Sequence, residues 1–329
     1  MKKITQYLIA GAAIVIIIAG LRAGAGLINQ ILMSFLLAIC ISPLPEWLSR
    51  KGLSKSLSIA ISLIIILVGG FLTIVLLANS ISGLVESFPA YQQKLTEIFN
   101  KFSEFAASNN LNISELIQKV HITPEKVIEF GGKLAGSLTS IISSSFIIAM
   151  LVVFIVIELV GYTVDTRKGR RDQISLDEWL RGMSGDLRKY ITITALKGVI
   201  TAALNFVFLL IFGIDFAFLW AFFSFLMNFV PNLGFLFSLI PPALIALITL
   251  GPWQALVVII AFWLINFVVE NVIGPIFMKK SLNVSLLSSF LSLLVWGWIL
   301  GMPGAILGIP LTMVVMKIYT DSKKWEIKS

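Results

Sequence analysis

Long apolar runs alternate with short clusters of charge along this chain. Apolar segments lie at about 4–21, 27–42, 57–78 and 138–161, a charged loop follows at 162–190, and a C-terminal apolar block fills 191–316. Phe216 to Val269 is 54 residues without Asp, Glu, Lys or Arg, and Ser281 to Met316 is a further 36. Uninterrupted apolar runs of this kind predict membrane spans. As one helix, the longer run would measure about 80 Å against roughly 30 Å of hydrocarbon, so it must turn back. The punctuation lies at Pro231-Asn232-Leu233-Gly234 and Thr249-Leu250-Gly251-Pro252, leaving segments near 216–230, 235–250 and 253–276. The second run divides in the same way at Gly301-Met302-Pro303-Gly304. The expected fold class is all-α: a polytopic helical membrane protein with about 7–8 membrane segments, including broken or hairpin helices, and an extracytoplasmic amphipathic helical insertion.

Composition agrees with that reading and narrows it. Of 329 residues, 58% are hydrophobic and only 13% charged, with a mean hydropathy of +0.97. A soluble fold of this size wets its surface with about 25% charged residues, so an ordinary soluble enzyme is excluded. The net charge of +8 would suggest nucleic acid in a soluble protein. Here the basic residues cluster in short loops between apolar runs, which points to a lipid bilayer and away from nucleic acid. Placing the N-terminus, loops 43–56, 162–190 and 277–285, and tail 317–329 in the cytoplasm collects 18 of the 25 Lys and Arg there. Both termini are then expected to be cytoplasmic. Met1-Lys2-Lys3 followed by Ile4 to Gly20 has the shape of a signal peptide; with further spans behind it, an uncleaved first helix is the simpler expectation.

These patterns divide the chain into N-terminal membrane helices (1–78), an extracytoplasmic segment (79–137), a membrane helix (138–161), a charged cytoplasmic loop (162–190), a C-terminal membrane block (191–316) and a tail (317–329). Segment 79–137 carries 5 Lys, 6 Glu and the sole histidine, His121. Leu95, Ile98, Phe99, Phe102 and Phe105 follow helical spacing, which predicts an amphipathic helix. Asn112-x-x-Glu115 can cap one helix, and Thr123-Pro124 can start the next.

Ionisable residues inside the spans are few, and each is a candidate because burying a charge at membrane depth is costly. Glu270 is the strongest. It shares a helical face with Asn266, and Pro275 withholds a hydrogen bond from the Asn271 carbonyl, which could add a third oxygen ligand. Glu158 and Lys197 are weaker candidates, because each can reach a cytoplasmic interface. A second constellation is Asn228, Pro231, Asn232, Gly234 and Pro241, where broken backbone must face protein or a wet cavity. Paired, interrupted apolar segments are a pointer to a transporter's binding site, which brings in Pro303 as well. Aligning Gly234 with Pro303 puts a proline seven residues later in both, at Pro241 and Pro310. One histidine and one cysteine cannot build a usual metal site, no phosphate-binding loop is present, and no cofactor is expected.

The C-terminal block resembles the autoinducer-2 exporter (AI-2E) family of bacterial membrane proteins. The resemblance rests on Arg188-Lys189-Tyr190-Ile191, Phe212-Gly213, Ala217-Phe218-Leu219-Trp220, Asn228-Phe229-Val230-Pro231-Asn232-Leu233-Gly234 and Ile240-Pro241-Pro242. It continues through Glu270-Asn271-Val272-Ile273-Gly274-Pro275, Trp296 to Gly304, and Leu307-Gly308-Ile309-Pro310-Leu311. Ser42-Pro43 and Leu48-x-Arg50-Lys51-Gly52 agree more weakly. The resemblance implies a bacterial inner-membrane transporter that is a homo-oligomer, with the quorum-sensing signal autoinducer-2 as one family solute and sodium or lithium/proton antiport as another family activity.

Three functions follow as expectations. The first is export of a small hydrophilic solute along the broken segments, with Glu270 and the asparagines as polar contacts. The second is cation/proton antiport at Glu270. In the third, the chain is an oligomeric scaffold that binds a partner through segment 79–137.

Overall fold

A computed structural model describes residues 2–41, 43–108, 132–133, 136, 144–157, 176–230, 233–277 and 286–326. Every regular element among them is helical. In chain order these are α1 (Lys2–Ala23), α2 (Ala25–Ile41), α3 (Pro43–Arg50), α4 (Lys55–Ser108), α5 (Ser144–Ile157), α6 (Leu176–Ile211), α7 (Ala217–Met227), α8 (Gly234–Thr249) and α9 (Pro252–Val268). A π-turn (Val269–Ile273), α10 (Gly274–Phe277), α11 (Leu286–Leu300) and α12 (Met302–Glu326) complete the chain. Stretches within α2–α3, α4, α6 and α9–α10 are long and apolar enough to cross a bilayer. The chain is therefore an all-α polytopic membrane protein.

The charge-free runs do turn back, with glycine at the turns Gly251 and Gly301, and Gly213 makes the turn just before the longer run. Gly213, Gly251 and Gly301 have φ of 68°, 110° and 73°, left-handed values that side chains resist. After Gly251 and Gly301 a proline stands in the first helical turn, at Pro252 and Pro303, where its missing N–H would have had no partner. Pro303 is thus a helix starter. Pro241 and Pro310, by contrast, lie inside continuous helices α8 and α12 and break neither.

Helix α6 is the hub, packing on α2, α7, α9, the π-turn and α12. Two apolar clusters flank its middle. One joins Leu209 to Leu77, Ile81 and Leu84 of α4, Trp220 of α7, Ile245 of α8 and Phe262 of α9. The other joins Ile191 and Ala195 to Leu36 of α2, Phe223 and Met227 of α7, and Ile306 and Leu307 of α12. Thr201 and Asn205 fall between these clusters on α6.

Helix α4 runs unbroken for 54 residues, so position 78 is no boundary in the backbone. In its most apolar window only 6% of residues are buried by protein. Phe71, 66% exposed, and Ile64, 60% exposed, are left uncovered by the rest of the chain. Further along, α4 is fastened to the turn before α7. Tyr91 donates a hydrogen bond to Asp215 Oδ2 at 2.8 Å. A Cβ on Gly83 would come within 2.9 Å of the Phe216 ring, so that ring needs the glycine. Phe216 itself has a φ of 59°, a strained value for an aromatic residue. Asn112, Glu115, His121, Thr123 and Pro124 lie outside the described residues.

Candidate functional site: a polar seam in the apolar block

Between the two clusters, α6, α7, α8 and α9 enclose a small polar cavity. Thr201 and Asn205 come from α6, Ser224 and Asn228 from α7 and its C-cap, Gly234 and Ser238 from α8, and Asn266 from α9. These groups meet because polar residues recur one helical turn apart on α6 (Thr201 and Asn205) and on α7 and its C-cap (Ser224 and Asn228), facing Ser238 of α8 and Asn266 of α9. Gly234 permits the closest approach, since a Cβ there would overlap the Met227 carbonyl.

The cavity holds unused hydrogen-bonding capacity. Asn205 is 2% exposed and Thr201 7%, yet Asn205 Oδ1 and Thr201 Oγ1 have no partner. A buried polar atom left unpaired costs about 1–3 kcal/mol, so two at one place call for a ligand or water. Other groups are committed to the scaffold: Asn228 Nδ2 donates to the Thr194 carbonyl at 2.9 Å, and Ser238 Oγ to that of Phe235 at 2.9 Å. Pro242 has no N–H to give the Ser238 carbonyl, so the proline pair acts by freeing acceptors along an intact helix. The cavity volume is ≈ 10 Å³, space for about one water, so this conformation is closed to anything larger.

One turn before Thr201 on α6, Lys197 meets Glu270. Its Nζ lies 2.8 Å from Oε1 and 2.7 Å from Oε2, so both carboxylate oxygens accept from one ammonium. The Lys197 side chain is 11% exposed and that of Glu270 41%. Lys197 is therefore a buried partner, where the sequence suggested a side chain reaching for the interface. Glu270 is placed by the π-turn, in which the Gly274 N–H reaches back five residues to the Val269 carbonyl. Such insertions in an α-helix concentrate at functional sites. Gly274 faces Lys197 too, since a Cβ there would lie 3.7 Å from Lys197 Cδ.

Of the residues singled out by sequence, the structure brings Asn228, Gly234 and Asn266 to the cavity, and Glu270 and Lys197 to each other. Pro241 is buried in α8 and is not part of the cavity lining. Asn271 and Pro275 are exposed, and Asn271 Nδ2 donates to the Phe267 carbonyl at 3.0 Å, so its side chain serves its own helix. Pro303 belongs to the other hairpin, α11 and α12. Pro231, Asn232 and Glu158 lie outside the described residues. Sequence reading missed Thr201, Asn205, Ser224 and Ser238. The signal was available on α6, where Thr194, Lys197, Thr201 and Asn205 recur at spacings of three and four through an apolar helix. Among the described residues there is no group of His, Cys, Asp or Glu that could hold a metal.

A polytopic helical bundle with a polar seam at its centre, bounded by a broken helical pair, has the form of a membrane transporter. Residues 12–324 match the family described as AI-2E family transporter. The putative transport protein YhhT of Escherichia coli K12 is 31% identical over 314 residues, covering 95% of this chain and 89% of its own length. The AI-2 transport protein TqsA of the same strain is 27% identical over 308 residues, 92% of this chain and 88% of its own. A putative transport protein of Haemophilus influenzae is 28% identical over 322 residues, 94% and 91% of the two chains. This chain belongs to the AI-2E transporter family.

Proposed function

We propose that the protein exports a small hydrophilic solute through the seam between α6, α7, α8 and α9, with autoinducer-2 as the first solute to test. One observation carries this reading: a cavity inside an apolar block, lined by three asparagines, in which Asn205 Oδ1 and Thr201 Oγ1 are buried without partners. A hydroxylated solute supplies the donors those atoms lack. The similarity to TqsA, whose name specifies AI-2 transport, supports this solute. Because the cavity in this conformation has space for about one water, passage requires the α7–α8 hairpin to move against α6. The protein carries the solute unchanged and is no enzyme. It works in the bacterial cytoplasmic membrane with both termini cytoplasmic, as a homo-oligomer.

The test is flux of labelled autoinducer-2 from reconstituted vesicles. Asn205→Leu is expected to lower the rate about tenfold or more, the equivalent of about one lost hydrogen bond, with normal insertion. Wild-type flux with that variant would remove the seam from the path.

A further inference from the structure

We infer that Lys197 is a specificity determinant: a tethered cation that fills the position a free sodium or lithium ion would take on Glu270, restricting the seam to neutral hydroxylated solutes. This deepens the solute-path reading above and rests on it for the solute, though not for the ion.

A carboxylate that binds a small cation must offer it at least one oxygen. Here both oxygens of Glu270 lie within 2.8 Å of a single ammonium, the distance of a charge-assisted bond. The two side chains differ in access. Glu270, 41% exposed, lies at the surface of the chain, whereas Lys197, 11% exposed, is held in place among packed helices. An exposed carboxylate and an immobilised ammonium form a site that is already filled. Its occupant cannot leave by diffusion, so a dissolved ion competes against a local, tethered charge.

Surrounding residues fit this role. Gly274, at the end of the π-turn, packs beside the lysine stem: a Cβ there would lie 3.7 Å from Lys197 Cδ, an ordinary van der Waals contact. The cavity one turn further along α6 contributes only amide, hydroxyl and aromatic side chains, with no carboxylate among its lining residues. With Glu270 paired to Lys197, the lining offers a cation no formal counter-charge. Neutral amides and hydroxyls do suit a solute that exchanges hydrogen bonds. Removing only the lysine would leave an uncompensated, partly exposed carboxylate at membrane depth, a situation that strongly favours capture of a counter-ion.

The experiment measures sodium binding directly and needs no transport. Purified protein in detergent is equilibrated with radioactive sodium, and its melting temperature is compared in sodium chloride and N-methylglucamine chloride at equal ionic strength. Wild-type protein is expected to retain no sodium and to melt alike in both salts. Lys197→Gln should retain about tenfold or more sodium over wild type and melt higher in sodium chloride. The double variant K197Q/E270Q should be blind to sodium again. Sodium retention by the wild type that is lost in Glu270→Gln would overturn the inference, because Glu270 would then be a native cation site. It would also fail if K197Q ignored sodium. If K197Q folds only when sodium is present, the inference stands; if sodium does not rescue it while K197Q/E270Q folds, the inference falls. Flux through Asn205→Leu judges the solute path separately, so the two readings can fail independently.

Discussion

The two helical hairpins of the C-terminal block share their construction and differ in what they do with their polar groups. In α7–α8 the returning helix begins at Gly234, where any Cβ would overlap the Met227 carbonyl; in α11–α12 it begins near Gly304, where a Cβ would overlap the Trp296 carbonyl. Both glycines let two helices close on backbone. The second hairpin then consumes its polar side chains internally. Ser292 Oγ and Thr312 Oγ1 are 2.6 Å apart, and Trp296 Nε1 donates to Thr312 Oγ1 at 3.0 Å. Asn29 Nδ2 caps its turn through the Leu300 carbonyl at 2.9 Å, and Arg22 lies 4.9 Å from the Trp298 ring centroid. In the first hairpin, Ser224, Asn228 and Ser238 face a cavity whose wall on α6 still has unpaired oxygens. The second hairpin therefore pairs polar side chains across itself, whereas those of the first bond to backbone carbonyls beside a closed cavity whose unpaired oxygens lie on α6.

The largest expected effect tests what the hairpins have in common. Gly234→Ala and Gly304→Ala should each destabilise the protein by about 3 kcal/mol or more, because the new methyl meets backbone that cannot turn aside. Thermal unfolding in detergent would check this, and a harmless substitution in either hairpin would break the parallel. The next tests the difference. Thr312→Val should cost about 1–3 kcal/mol by stranding Ser292 and Trp296, while flux per folded molecule stays at the wild-type level. Asn205→Leu should do the opposite: stability unchanged or raised by up to about 1 kcal/mol, because an unpaired buried oxygen is removed, and flux strongly reduced. Equal responses of stability and flux in both variants would erase the distinction. The smallest effect belongs to Arg22→Gln, which should lower stability by about 0.5–1 kcal/mol through loss of the contact with Trp298, with flux unaffected.

Much of this fold was legible because a bilayer imposes simple length rules. Charge-free runs of 54 and 36 residues are too long to cross once, so Gly251-Pro252 in the first and Gly301 in the second had to mark turns, and they do. Proline was the less reliable guide. Pro241 and Pro310 look like breaks in sequence but reside in continuous helices, since lost hydrogen bonds can be tolerated where neighbours pack closely. The alignment of Gly234 with Pro303 was also off by one: the residue doing the work of Gly234 is Gly304, whose role depends on a carbonyl eight residues earlier and leaves no periodic trace. Glu270 was visible as a rare charge. Its partner was not, because Lys197 is 73 residues away and the π-turn that aims Glu270 has no sequence signature. The site's remaining walls were present as the stripe Thr194, Lys197, Thr201 and Asn205, readable only by tracing polar residues around an apolar helix.

Helix α4 has a mechanical consequence. Pro89 leaves the Val85 carbonyl without its usual intrahelical donor, and at that point an otherwise stiff rod would flex. The two attachments to the turn before α7, at Gly83 and Tyr91, bracket the proline on either side. They act as a splint. A rod of 54 residues is about 80 Å long, of which about 50 Å projects beyond the hydrocarbon. Splinted, it is a lever: a tilt of about 5° inside the bilayer would carry its far end sideways by about 4 Å, given the rise of about 1.5 Å per residue.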